Sequence, residues 1–126
     1  MTLWSSLGLV MLGSALGGVC RYLLADFINH FVRGFPLATL TVNVIGSFVI
    51  GLLWVWVMHA SHRVLLESLL MVGLLGGFTT FSSFSLDSFA LIEEGRILAA
   101  VVYVLISIVI SLQATFWGVE IMQWMR

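Results

Sequence analysis

From Leu37 to Met58 the chain runs 22 residues without a charge, and Leu3 to Cys20 and Ile97 to Val119 are likewise uncharged. As a helix, such a run reaches about 33 Å, which matches the ~30 Å hydrocarbon core of a bilayer. In hydrocarbon every backbone N–H and C=O must be satisfied within the segment, so the α-helix is the one local form open to these stretches. A third apolar segment, Val64 to Ile92, brings the expected spans to four, at residues 3–25, 37–59, 64–92 and 97–121. Polar and breaker residues gather between them, in NHFVRGFP, HASHR and EEGR. Connections this short make successive helices antiparallel neighbours. With 61% hydrophobic and 9% charged residues and a mean hydropathy of +1.16, the expected fold is all-α and integral to the membrane, a single four-helix domain over residues 1–126.

The same counts exclude several functions. A net charge of −1 gives no basic surface for nucleic acid. The single Cys20 has no partner for a disulfide and no second ligand for zinc. The N-terminal apolar run lacks a positive leader, so it is expected to stay as the first span.

Orientation of membrane helices follows the Lys and Arg of the flanking loops. One side of this chain would hold Arg63 and Arg126, the other Arg33 and Arg96, with Arg21 near the end of the first span on that second side. Two against two or three leaves no bias. One reading is insertion in both directions, giving an antiparallel two-fold dimer whose copies act as inverted repeats. The other is a chain oriented by some further means.

The third span is too long. Val64 to Ile92 is 29 residues, about 43 Å as one straight helix. It contains GGFTTFSSFS, Gly76 to Ser85: two glycines able to bend, then hydroxyls on Thr79, Thr80, Ser82, Ser83 and Ser85 able to pair with backbone groups that a break would free. A broken third helix turned to the protein interior is expected; a continuous helix with small residues for close packing is the alternative.

Two neutral polar stripes run along otherwise apolar helices: Thr39, Asn43 and Ser47 on the second span, and Tyr103, Ser107, Ser111 and Thr115 on the fourth. Hydrogen bonding between helices is their ordinary use, at about 0.6 kcal/mol per contact. Asn43 fits that use least, because a primary amide in an apolar span is costly unpaired and offers two N–H donors to an anion. Phe81 and Phe84, three apart, put two rings on one side of the third span. Ring edges are electropositive and favour an anion.

GGFTTFSSFS, together with Gly17-Gly18-x-x-Arg21-Tyr22, Asn43-x-x-Gly46 and EEGR at Glu93 to Arg96, resembles the Fluc (CrcB) family of fluoride channels over essentially the whole chain. The resemblance implies an antiparallel, dual-topology homodimer in the bacterial inner membrane, with two pores at the subunit interface exporting fluoride. It implies a structural sodium ion, Na+, at the dimer centre, held by the backbone carbonyls of Gly76 and Thr79. Asn43 matches a pore position, Phe81 and Phe84 an aromatic box, and Tyr103, Ser107 and Ser111 a polar track. Thr39 and Ser83 complete the candidate pore hydroxyls, and Arg21 is given an anchoring role. Phe78 stands where the family often has Leu, which leaves backbone ligation undisturbed. Such a pore replaces much of fluoride's water with donors along a narrow path, which larger chloride fits badly.

Three other classes compete. A small multidrug-type cation/proton antiporter has similar length and charge balance, but it needs a membrane-buried carboxylate, whereas the expected first span has none and Asp87 and Glu120 lie toward span ends. An enzyme or haem protein would have to use His30, His59 and His62, which also sit at span ends. A structural subunit of a larger complex would use the polar stripes for packing alone.

Overall fold

The computed structural model describes all 126 residues. α1 covers Leu3–Phe31 and α2 covers Leu37–Met58. The third crossing, Arg63–Glu93, is assembled from α3 (Arg63–Leu66), a π-helical stretch Glu67–Leu75, α4 (Gly76–Phe78) and α5 (Phe81–Glu93), and α6 covers Ile97–Trp124. All four crossings are long and apolar enough to span a bilayer. The chain is an all-helical, multi-pass membrane protein.

α1 and α6 continue past the residues where hydropathy placed the spans, whereas α2 stops at Met58. α1 was expected to end at residue 25 and runs to Phe31, because Asp26, Asn29 and His30 are polar without being helix breakers, and hydrogen bonding has no reason to stop where apolarity does. The stop comes from backbone chemistry: Val32 turns extended, Gly34 takes φ +86°, and Pro36 precedes α2. At the other tight turn Gly95 adopts φ +74°, with Arg96 N–H on Leu91 O and Gly95 N–H on Ile92 O, both 2.9 Å. That is a Schellman motif, and it caps α5 before α6 begins.

Packing rests on small residues, as expected where lipid removes the usual hydrophobic drive between helices. α2 and α6 cross with their backbones in contact: a Cβ on Gly118 would strike Phe48 O, and one on Gly51 would strike Thr115 O. On the other flank, Gly13 and Gly17 of α1 face Leu69 O and Leu74 O of the π-helical stretch, and Gly77 faces Ser14. α5 lies on α6 through the core of Leu40, Leu91, Ala100 and Tyr103. Most large apolar side chains remain exposed on the single chain.

The aromatic residues are unevenly placed. All five tryptophans, Trp4, Trp54, Trp56, Trp117 and Trp124, are exposed and lie toward the end of the bundle that holds both chain termini. Tyr22, Phe27 and Phe31 mark the opposite end.

Candidate functional site

Between α4 and α5 the chain takes two extended residues, Thr79 (φ −81°, ψ 158°) and Thr80 (φ −151°, ψ 115°). In a continuous helix the Thr80 N–H would reach Gly76 O and the Ser83 N–H would reach Thr79 O. Both donors go elsewhere. Thr80 N–H donates to Asn43 Oδ1 at 2.8 Å, and Ser83 N–H donates to Thr80 Oγ1 at 3.0 Å. The second bond is an ordinary N-cap for α5. The carbonyls of Gly76 and Thr79 are thus released from their helical donors.

Neighbouring groups fix this step. Asn43 Nδ2 donates to Thr80 O at 3.0 Å, so the amide clamps both backbone atoms of Thr80. This revises the expectation that Asn43 offers two N–H donors: one is committed to Thr80 O, and the other remains. Arg21 Nε donates to Gly77 O at 3.1 Å, which places it in contact with α4. Thr79 N–H and Oγ1–H both donate to Leu75 O, at 2.9 and 2.8 Å.

α2, the third crossing and α6 enclose a lateral cavity of about 470 Å³. Asn43, Ser47, Thr79, Thr80, Ser107 and Ser111 give it neutral polar groups, Gly76 lies on its wall, and Phe81 and Phe84 give it two rings. The ring centroids are 5.4 Å apart with planes at 48°. Phe81 is 79% exposed, so one ring of the pair is uncovered within this chain. No ionisable side chain lines the cavity. Ser107 is buried, and its Oγ has no hydrogen-bond partner.

Of the residues singled out from sequence, Asn43, Gly76, Thr79, Phe81, Phe84, Ser107 and Ser111 share this cavity. Thr39 and Ser83 do not. They line a separate cavity of about 330 Å³ with Arg21, Tyr22 and Thr80. Tyr103 is fully buried in the core, with its hydroxyl on Asp87 Oδ2 at 3.2 Å and its ring 5.4 Å from that of Phe84. Within one chain it supports the aromatic pair and does not line the cavity. Thr115, the last member of the fourth-span stripe, spends its hydroxyl on Ser47 O and Ser111 O.

The model of the family described as CrcB-like protein, Camphor Resistance (CrcB), matches residues 8–119. The chain belongs to the CrcB family. Similar curated proteins include the fluoride-specific ion channel FluC of Geobacter metallireducens, 47% identical over 116 residues (87% of this chain, 90% of the relative). That of Citrifermentans bemidjiense is 44% identical over 114 residues (89% and 92%), and that of Hahella chejuensis is 40% identical over 114 residues (89% and 90%). The CrcB match contains every cavity residue named above. No three His, Cys, Asp or Glu side chains come together as a metal cluster. The antiporter alternative finds no support in the relatives, and the carboxylate of Asp87 is engaged by Tyr103.

Sequence reasoning missed the part played by Thr80, whose backbone is the partner of Asn43, and by Asp87, which meets Tyr103 across the α5–α6 turn. Asn43 and Thr80 are 37 residues apart, and no local pattern joins them. Gly46 stood in a quoted motif, but its place on the cavity wall became visible only in the fold.

Proposed function

We propose that this chain forms a dual-topology homodimer in the bacterial inner membrane that lets fluoride leave the cytoplasm passively through two antiparallel pores. The observation that carries the reading is the lateral cavity: neutral donors and two aromatic rings, one hydroxyl unpartnered, and no fixed charge. The cavity walls are largely apolar, with Ile50, Met71 and Ile108 among them, but polar groups such as Asn43 and Ser111 would be costly facing lipid, so in this reading a protein surface covers them. A second copy, inserted the other way, provides that surface, consistent with the balanced Arg33, Arg63, Arg96 and Arg126. The printed name of the curated relatives, fluoride-specific ion channel, supplies the anion.

The interruption at Thr79 and Thr80 gives the site its electrostatics. A helix N-terminus carries partial positive charge and a C-terminus partial negative charge. The start of α5 presents N–H groups to an anion, and the end of α4 presents carbonyls to a cation, the division of labour seen where broken helices meet in membranes. The released carbonyls of Gly76 and Thr79 have the donor chemistry sodium requires, and with the same two groups of a second copy they would hold a structural Na+. When bound, that ion supplies positive charge to the centre of the assembly.

Fluoride gives up water only to strong donors placed along its path. The remaining Asn43 N–H and the hydroxyls of Ser107 and Ser111 are those donors. Ring edges of Phe81 and Phe84 close the passage to larger ions without trapping the small one by full charge. Thr39 and Ser83 belong to the approaches, and Tyr103 backs the Phe84 ring from the core. Fluoride entering a cell as its neutral acid ionises inside, and an electrically driven leak of the anion then lowers its internal level.

The test is reconstitution of the purified protein into liposomes with a potassium gradient and valinomycin, read with fluoride and chloride electrodes. Fluoride release with little chloride release is expected. Absence of fluoride release, or equal release of both ions, would overturn the assignment.

A further inference from the structure

The Thr79 carbonyl serves a cation only if the extended residue that carries it holds one orientation. Nothing in an extended φ/ψ pair enforces this: Thr79 N–H keeps its helical bond to Leu75 O at 2.9 Å, but the carbonyl has lost its helical donor, Ser83 N–H, to Thr80 Oγ1. α2 supplies the restraint at Gly46. A Cβ built there would collide with Thr79 Cγ2, and would lie 3.4 Å from Phe78 Cδ1 and 3.7 Å from Thr79 Cβ. The missing side chain of Gly46 is therefore a notch, and the Thr79 methyl fills it. On its other side the same threonine donates from Oγ1 to Leu75 O at 2.8 Å. Methyl and hydroxyl are both held, so the side chain cannot rotate away from an intruding group without breaking that bond.

We infer that Gly46 is a positioning residue for the cation site and the pore, acting through the methyl group of Thr79. Asn43, one turn earlier on α2, grips the backbone of Thr80. The pair at 43 and 46 thus fixes both extended residues, one by hydrogen bonds and the other by shape. An alanine at position 46 displaces Thr79 as a body, turning its carbonyl and pulling on the adjoining Thr80 amide held by Asn43. The inference rests on the channel reading above for what the displaced carbonyl does, and on the packing of Thr79 against Gly46 for the contact.

A double-mutant cycle tests it. Thr79→Ser deletes the methyl but keeps the hydroxyl and the carbonyl, and the contacts then left to a Cβ at position 46 are those at 3.4 and 3.7 Å, ordinary separations that a small shift of the Phe78 ring accommodates. Fluoride efflux from liposomes and elution on a sizing column are measured for wild type, Gly46→Ala, Thr79→Ser and the double variant, each over a range of sodium concentrations. Overpacking at the notch is expected to make Gly46→Ala about tenfold slower than wild type, whereas the same change in the Thr79→Ser background costs less than about twofold. Gly46→Ala should also need more sodium than wild type for half-maximal flux. Because alanine is the better helix former, such a loss does not come from weakening α2. Equal losses in both backgrounds, or no loss in wild type, overturn the inference. Should Gly46→Ala fail to assemble, recovery of the dimer peak on adding Thr79→Ser is the expected result, and no recovery is the contrary one. If wild type passes no fluoride, the channel reading fails, and assembly still reports on the notch.

Discussion

Replacing Asn43 by aspartate changes few atoms and separates two roles of the side chain. The remaining acceptor oxygen still takes the Thr80 N–H, held now at 2.8 Å. The second contact reverses sign, because a carboxylate oxygen replaces the Nδ2 that donates to Thr80 O across 3.0 Å. A lost hydrogen bond with a half-buried carbonyl left unpaired is worth about 1–3 kcal/mol. A fluoride ion passing about 4 Å from the new charge meets a repulsion on the order of 4 kcal/mol at an effective dielectric of about 20. That alone slows passage by roughly a thousandfold, and the missing donor slows it further. The assay is fluoride efflux per dimer, with the dimer fraction measured on a sizing column. If Asn43 only clamps Thr80, Asn43→Asp lowers the amount of dimer while the surviving dimers conduct at the wild-type rate. That outcome would remove Asn43 from the ion's path.

Ser107→Ala should leave assembly unchanged, since Ser107 Oγ has no partner in the protein, and should slow fluoride efflux about tenfold through loss of a donor worth ~1 kcal/mol or more; unchanged flux would show that the hydroxyl does not face the ion. Thr115→Val removes the bond to Ser47 O at 2.9 Å and should lower stability by about 0.6 kcal/mol in a denaturation titration, with fluoride-to-chloride selectivity intact. Gly118→Val forces a side chain into Phe48 O and the α2 backbone at Gly51; loss of folded protein during purification is expected, and a normal yield would mean that the two helices do not cross at that point.

How much of this was legible beforehand depends on distance along the chain. Spans are local, and their number follows from the length of the apolar runs, as the four crossings show. The end of α1 was placed too early because apolarity reports where lipid lies, whereas Val32 and Gly34 report where the backbone turns. The Gly76 to Ser85 segment announced itself by composition, yet its partners Asn43 and Arg21 come from other helices, 37 and 56 residues from the groups they bind. Periodicity grouped Tyr103 with Ser107, because residues four apart share a helix face. It could not register that α5 lies over one end of that face, burying Tyr103 against Asp87.

The one-ended clustering of the five tryptophans bears on how an opposed pair would respond to its lipid. Indole rings settle at the headgroup boundary, so each copy is pinned to whichever leaflet its own termini occupy. Two copies facing opposite ways are then referenced to opposite surfaces, and the thickness of the membrane sets how far one slides past the other along the normal. In the proposed opposed pair Phe81 and Phe84 would ride on that slide, which would couple an aperture framed with a partner to the acyl-chain length of the host membrane.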